Sequence, residues 1–287
     1  LESIYEPVFS NKSHGFRPNR SCQTALKQIQ NTFTGANWFV EGDIHACFDS
    51  FDHHVVIDLL KKRIDDEAFI QLIWTFNRTY SGVPQGAGVS PVLANIYLHE
   101  LDKFMENYAE NFNTEAKKKH FSTAYKSSVG KAYRYRKKGR EIWDSLSDEE
   151  KKIRCKNLKE LEMIEKSTTP YVYNDSNYKR VQYTRYADDF IIGVIGSKAD
   201  AEAIKKDVKI FLQKALKLEM SDTKTKVTHT GDRARFLGYD ITVSRVQTLQ
   251  KASNGRVQRC QTGVVKLYVP REKWVGKLIE YKAMKIK

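Results

Sequence analysis

Two adjacent carboxylates, Asp188 and Asp189, lie between two apolar runs of this 287-residue chain. Residues 181–187 before them and 190–194 after them are rich in β-branched and aromatic side chains, which predicts a β-hairpin. A carboxylate among core residues is costly unless a partner compensates its charge. A divalent metal is one such partner. A solvated hairpin turn, in which Asp is common, is the other explanation.

A second acidic segment lies upstream, where residues 38–44 predict a short, largely buried strand around Asp43. Neighbouring strands lie about 4.8 Å apart, so pairing with the hairpin would bring Asp43 close to Asp188. Carboxylates placed in this way can hold two metal ions roughly 3.5–4 Å apart. Because strand side chains alternate faces, we expect Asp43 and Asp188 to be the principal ligands, with Asp189 catalytic in a less direct way. The backbone carbonyl of Ile44 is a further candidate ligand.

The elements that must position these carboxylates follow from capping and periodicity. Asp52 can cap a helix whose apolar residues recur at helical spacing, and Ser90-Pro91 is a strong helix start, with Ser90 at the cap and Pro91 in the first turn. Ser147-Asp148-Glu149-Glu150 resembles a capping box at the start of a further helix. Residues 199–215 predict an amphipathic helix. Strand, helix, hairpin, helix and strand in this order predict an α+β fold of the split βαβ kind.

Tyr186-Ala187-Asp188-Asp189 resembles the catalytic turn of reverse transcriptases, and its surroundings resemble those of group II intron-encoded enzymes. Five further blocks follow the family's order along the chain. They are Ser13 to Ser21 (fingers), Asp43 to Asp52 (first carboxylate motif), Val83 to Asn95 (nucleotide pocket), Leu218 to Thr225 and Phe236 to Tyr239 (the last two palm motifs). Six blocks in order are far more specific than any single one.

The resemblance implies the fingers and palm of a right-hand polymerase, with an antiparallel palm sheet and packed helices. We expect five parts, which are part of the fingers at 1–36, palm with fingers elements at 37–110, a basic insertion at 111–167, palm with the catalytic hairpin at 168–245, and a basic palm end at 246–287. The family's first fingers motifs and its helical thumb have no counterpart that we find, so we expect a fingers-palm part of a longer protein.

The implied reaction is RNA-templated DNA synthesis, in which a DNA primer 3′-hydroxyl attacks a deoxynucleoside triphosphate. The implied cofactors are two Mg²⁺ ions held at Asp43, Ile44 and Asp188, with Mn²⁺ as an alternative ion. The implied nucleotide-binding residues are Phe48, Gln85, Arg17, Arg20 and Lys224, and the implied primer support is Phe236, Leu237, Gly238 and Tyr239. Phe48 would exclude a ribose 2′-hydroxyl. Taken without the resemblance, Phe48 is better explained as a core aromatic, and residues 236–239 are also typical of a buried strand and turn. Arg17 and Arg20 can be surface charges, although Gly15 and Pro18 beside them favour a functional role.

The net charge of +14 is concentrated in two segments. Residues 115–166 hold 16 basic and 9 acidic side chains, and residues 245–287 hold 11 basic and 2 acidic ones. Such blocks are typical of nucleic-acid binding, although a solvated helical face looks the same in sequence. Basic residues interleaved with tyrosines suit RNA. The candidate RNA-binding residues are Lys117, Lys118, Lys119, Arg134, Arg136, Lys137 and Lys138.

Three other functions stay open at this point. The chain can serve mainly as a non-enzymatic, RNA-binding splicing cofactor (a maturase for group II intron RNA), or be a retron or diversity-generating reverse transcriptase. An RNA-dependent RNA polymerase shares the palm, but Phe48 argues against it. No run reaches the roughly 20 apolar residues of a membrane span, and four scattered cysteines are typical of a reducing compartment. We therefore expect a cytoplasmic protein of bacterial or organellar origin. The oligomeric state is not predicted.

Overall fold

The computed structural model describes residues 1–84, 86–245, 249–260 and 262–283. The α-helices, in chain order, are α1 (Glu2–Tyr5), α2 (Cys22–Thr32), α3 (His53–Lys61), α4 (Glu67–Asn77), α5 (Ser90–Phe112), α6 (Thr123–Ile142), α7 (Asp148–Ser167), α8 (Lys198–Leu216) and α9 (Arg271–Glu280). The strands are β1 (Trp38–Gly42), β2 (Arg180–Tyr186), β3 (Asp189–Ile195), β4 (Lys226–His229), β5 (Ala234–Phe236), β6 (Tyr239–Val243), β7 (Leu249–Lys251), β8 (Val257–Arg259) and β9 (Val265–Tyr268).

Four strands form an antiparallel sheet in the order β2-β3-β1-β4. β2 and β3 are the predicted hairpin, and Tyr186 pairs with Asp189 at its turn. β1 pairs along β3, with Gly42 opposite Phe190. The predicted antiparallel palm sheet with packed helices is therefore confirmed, and the register brings the end of β1 to the turn of the hairpin.

The two faces of this sheet bury two different cores, because neighbouring strand residues point in opposite directions. Val40 and Ile192 face a large core that includes side chains of α3, α5 and α8. Phe39 and Ile191 face a smaller core formed with α2 and with the three-stranded sheet β5-β6-β9. Because both faces are covered, the sheet is a fixed support for residues at its edge.

The chain divides into two compact units. Unit 1 comprises Leu1–Asn113, Lys179–Val243 and Val264–Lys287, and unit 2 comprises Thr114–Tyr178 and Ser244–Gly263. Unit 1 therefore holds the four-stranded sheet. The predicted five-part division into fingers, palm and insertion is a finer one and stays a prediction.

Unit 2 is built from the helices α6 and α7 and from the hairpin β7–β8, which packs on α7. Arg259 of β8 donates from Nε to the carbonyl of Lys166 at 2.7 Å and from Nη2 to that of Glu165. Its guanidinium also lies 4.8 Å from the ring centre of Tyr125. Arg259 thus binds the carbonyl end of α7, where cations are favoured.

Several predicted helix ends are confirmed, and one differs. The Asp52 side chain accepts from the backbone N–H groups of His54 and Val55 at the start of α3. Ser90 is the first residue of α5 rather than its cap, and its hydroxyl donates to the carbonyl of Pro84 instead. This bond holds the loop before α5 against the helix. Within the described residues, no helix is long and apolar enough to span a membrane.

Candidate active site

The end of β1 and the β2–β3 turn open onto one cleft of about 400 Å³. Asp43 and Asp189 line it together with Lys224, and the turn between β5 and β6 contributes Leu237 and Gly238. All of these residues belong to unit 1. Four chain segments that are far apart in sequence therefore meet at one point.

The carboxylates of Asp43 and Asp188 lie close enough to Asp189 to affect its ionisation. Burial, followed by the negative charges of Asp188 and Asp43, raises the pKa of Asp189 to about 6. Burial, followed by the charge of Asp188, also raises the pKa of the Cys47 thiol. Nζ of Lys224 lies 3.0 Å from Oδ2 of Asp43. Its positive charge lowers the pKa of Asp189, but burial and the two neighbouring carboxylates have the larger effect.

Backbone pairing fixes the segment after β1. The N–H of His45 donates to the carbonyl of Glu219 at 2.8 Å, and the N–H of Ser221 donates to the carbonyl of Asp43 at 2.9 Å. Ile44 and Met220 form an antiparallel bridge between these bonds. The motif at 218–225 therefore continues the sheet beside the first carboxylate and carries Lys224 to the cleft.

The donors at this site suit a hard divalent cation. Mg²⁺ is usually bound by one or two carboxylates, water and substrate phosphates, all through oxygen. Asp43 and Asp189 line the cleft with carboxylate oxygens. Asp188, in the turn before Asp189, is not part of this lining but lies close enough to raise the pKa of Asp189. Among residues 1–84, 86–245, 249–260 and 262–283, no three His, Cys, Asp or Glu residues have the spacing of a metal site. The carboxylate oxygens of the cleft fit a cation whose other ligands are water and substrate phosphates.

The aromatic ring of Phe48 lies between two others. It meets Phe16 edge-on with centroids 6.3 Å apart and Phe51 at 5.9 Å. The carbonyl of Phe48 accepts from the N–H of Val83 at 2.8 Å, and a Cβ on Gly82 would lie 2.0 Å from the same carbonyl oxygen. The nucleotide-pocket motif therefore packs directly on the backbone of Phe48. Gln85 lies outside the described residues.

The two predicted phosphate-binding arginines make internal contacts. Arg17 is buried, and its guanidinium donates to the carboxylate of Glu6 and to the carbonyls of Ser10 and Ser13. Arg20 donates to Asn11 and also to Ser13. These bonds shape the segment before α2, and they occupy the donors that a phosphate would need. Nucleotide binding by either arginine stays a prediction. The internal hydrogen bonds of Arg17 do not favour it.

The predicted primer support is the β5–β6 turn. Leu237 and Gly238 at its centre both have positive φ values, 48° and 77°. This is the backbone of a type I′ hairpin turn. The turn is tied to β1 because the N–H of Arg235 donates to Oε2 of Glu41 at 2.7 Å, while Thr228 of β4 donates to Oε1. Glu41 thus holds the turn beside the carboxylates.

The first 125 residues match the sequence profile of the family described as reverse transcriptase (RNA-dependent DNA polymerase). The group II intron-encoded protein LtrA of Lactococcus lactis subsp. cremoris is 43% identical over 97% of this chain and 47% of its own length. The chain belongs with the group II intron-encoded reverse transcriptases. The resemblance stated from the six motif blocks is thereby confirmed.

Other relatives of this group are more distant. A putative COX1/OXI3 intron 1 protein of Saccharomyces cerevisiae is 38% identical, over 90% of this chain and 31% of its own. A telomerase structure from Candida albicans matches 98% of this chain and 41% of its own chain, with a TM-score of 0.45 and 10% identity. The chain spans about half or less of the length of these intron-encoded relatives.

Reverse transcriptases as a family use divalent metal ions, which agrees with the oxygen donors of the cleft. Sequence reasoning missed residues that hold this site in place, among them Glu41, Asp102 and Arg185. A signal for two of them was present, because Asp102 stands among the apolar residues of α5 and Arg185 interrupts an apolar strand. Charged residues at such positions are seldom buried unless they are paired.

The predicted RNA-binding residues all belong to unit 2, which holds 20 basic and 10 acidic residues and so carries +10 of the net charge. Lys117, Lys118, Arg134, Lys137 and Lys138 are exposed. Arg136 instead pairs with Glu162 at 2.7 Å, and Lys119 is partly buried, which lowers its pKa. The hairpin β7–β8 adds Lys251, Arg256 and Arg259 to the same unit, so residues distant in sequence share one basic body.

Proposed function

We propose that the protein is an RNA-directed DNA polymerase that extends a DNA primer on an RNA template. The observation that carries this proposal is the cleft in which Asp43 and Asp189 lie beside Lys224 and the β5–β6 turn. In the proposed mechanism, Asp43 and Asp188 hold two Mg²⁺ ions, with the carbonyl of Ile44 as an extra ligand. When bound, these ions lower the pKa of the primer hydroxyl and stabilise the charge on the leaving pyrophosphate.

The protein's own groups position the reactants, which is the main requirement of phosphoryl transfer. Phe236, Leu237, Gly238 and Tyr239 support the primer end. Phe48 lies against the sugar of the incoming nucleotide and excludes a 2′-hydroxyl. Lys224 moves from Asp43 to the leaving phosphate, to which it supplies a positive charge. Gln85, by resemblance, contacts the nucleotide.

The decisive experiment is primer extension on an RNA template with Mg²⁺ in the full-length protein. Asp43→Asn and Asp188→Asn should each lower DNA synthesis by at least about 10³-fold, because each removes a charge that holds the reacting groups. Asp58→Asn makes the same chemical change at an exposed position of α3 and serves as the control. Full activity in Asp188→Asn would exclude the proposed site, and preference for NTPs over dNTPs would exclude a reverse transcriptase.

We also propose that unit 2 binds RNA, in particular the intron RNA of a splicing (maturase) function. Its charge supports this, since Lys/Arg contacts to phosphate dominate the affinity for nucleic acid. Lys137→Gln with Lys138→Gln should weaken RNA binding and reduce the slope of log Kd against log salt by about 2. Lys206→Gln with Lys214→Gln, exposed on α8 of unit 1, is the matched control. An unchanged slope in the first pair would refute this role.

The splicing role can be separated from polymerisation. We expect the Asp188→Asn protein to lose DNA synthesis but still to assist the splicing of the intron RNA, because unit 2 is unaltered. If splicing is retained and the wild-type protein makes no DNA, the protein is mainly a splicing cofactor. A bacterial or organellar interior is the proposed location, in keeping with this function.

A further inference from the structure

Arg185 is the largest completely buried side chain among the described residues. Its Nε and Nη2 atoms donate to the two carboxylate oxygens of Asp102 at 2.8 and 2.7 Å. Nη2 also donates to Oγ of Ser13 at 2.8 Å. Nη1 donates to the carbonyl of Ala187 at 2.8 Å and to Oδ1 of Asn95 at 3.3 Å. Every N–H of the guanidinium group thus has an acceptor inside the protein.

The contact with Ala187 acts on the catalytic turn itself. Ala187 has a φ of 55°, a conformation that L residues seldom adopt, and it is the first of the two turn residues. Turns with positive φ at this position, types I′ and II′, differ in the orientation of the peptide that joins their two central residues. Nη1 of Arg185 holds the carbonyl of that peptide, whose N–H belongs to Asp188. Arg185 therefore sets the direction in which Asp188 leaves the turn.

The same residue joins the turn to the segment before α2. The N–H of His14 donates to the carbonyl of Arg185 at 2.9 Å, and the N–H of Arg185 donates to the carbonyl of Lys12 at 2.8 Å. Asn95, which accepts from Arg185, donates from Nδ2 to the carbonyl of Gly15 at 2.9 Å. Gly15 in turn lies so close to Ala187 that an added Cβ would be 2.3 Å from the Ala187 nitrogen.

Stability alone is a weak reason for this arrangement. A buried ion pair often adds nothing to stability over well-packed apolar residues, because both charges must be desolvated. The network does fix one orientation of one peptide, next to the proposed metal ligands. We infer that Arg185 is a positioning residue that aligns Asp188 for metal binding and couples it to residues 12–15. This inference rests on the proposed polymerase function.

The test is Arg185→Lys in the full-length protein, which keeps the charge and loses the fork. We expect kcat to fall by about 100-fold, as for a reacting group displaced by about 1 Å. KM for dNTP and Kd for RNA should stay within about twofold, and Mn²⁺ binding measured by electron paramagnetic resonance should weaken. Arg180→Lys, at the opposite end of the same strand, should change none of these. Unchanged kcat and Mn²⁺ binding in Arg185→Lys, or a parallel loss of RNA binding and folding, would overturn the inference.

A second variant covers the case in which Arg185→Lys does not fold. Arg185→Met combined with Asp102→Leu and Tyr183→Phe removes the ion pair and the Tyr183 hydroxyl that donates to Asp102. This leaves neither charge buried alone. We expect the variant to fold and bind RNA, with the same losses in kcat and Mn²⁺ binding. Wild-type levels of both would overturn the inference. Absence of DNA synthesis in the wild-type protein would instead refute the proposed function.

Discussion

Nζ of Lys224 lies 3.0 Å from Oδ2 of Asp43, although 70% of the lysine side chain is exposed. The ion pair with Asp43 raises the pKa of Lys224, so the ammonium group stays charged over the working pH range. An exposed pair of this kind adds little to stability, because water screens it. Its significance lies in placing an exposed cation beside the carboxylates of the cleft.

Lys224→Gln removes this cation from the cleft. We expect kcat/KM for dNTP to fall by about 10- to 100-fold, because a charge at the leaving phosphate is lost. The melting temperature should not change, since the side chain is exposed. Steady-state primer extension and thermal unfolding measure the two effects, with Lys206→Gln on α8 as the control. Wild-type kinetics in Lys224→Gln would exclude a role at the leaving group.

Phe48→Ala should relax the choice of sugar. The ring is partly buried against Phe16 and Phe51, so its removal opens space beside the nucleotide-pocket motif. We expect NTP incorporation relative to dNTP to rise by about 10- to 200-fold, the range that a steric pocket can discriminate. Phe69→Ala removes another partly buried ring from α4 and should leave this ratio unchanged. An unaltered ratio in Phe48→Ala would make Phe48 only a packing residue.

Gly15→Ala should damage the catalytic turn by crowding the backbone of Ala187. The new Cβ would lie 2.3 Å from the Ala187 nitrogen, so one backbone must move. We expect about 1–3 kcal/mol of destabilisation, as in other overpacked sites, and a loss of DNA synthesis larger than the unfolded fraction explains. Gly276→Ala in α9 meets no heavy atom within 4 Å and should gain about 0.5–1 kcal/mol. Chemical denaturation and primer extension on the same samples separate the two effects.

Asp175→Asn should destabilise unit 2 in a pH-dependent way. The backbone N–H of His120 donates to Asp175 at 2.6 Å, and this bond is the largest cause that lowers the pKa of Asp175 to about 2. A carboxyl group whose pKa is lower in the folded state stabilises the fold above its unfolded pKa, near 3.9. The difference in melting temperature between wild type and Asp175→Asn should thus be constant above pH 5. It should shrink as the pH falls from about 4 toward 2.

Calorimetry of the two proteins between pH 6 and pH 2 measures this difference. Asp148→Asn, in the first turn of α7 of the same unit, gives the baseline for losing a carboxylate. A difference that grows on acidification would contradict the assigned pKa direction.

The local features of the fold could be predicted because short-range physics specifies them. The Ser147–Glu150 capping box that starts α7 is a local hydrogen-bond pattern, and it is present as predicted. The β2–β3 hairpin follows from two apolar strands around a polar turn. Ser90 was misplaced as a cap because its true partner, the Pro84 carbonyl, is a loop contact that helix signals do not include.

The sequence by itself determined the family, the strands that end beside Asp43 and Asp188, and the two basic segments, because motif order and periodicity are written along the chain. Only the tertiary structure decided that Arg17 contacts Glu6 and that Arg185 holds the peptide beside Asp188. It also decided that residues 244–263 join 114–178 in one basic unit. The partner of a buried charge is the residue that packing brings beside it. The number of residues between the two in sequence follows no period, so the sequence does not indicate the pair.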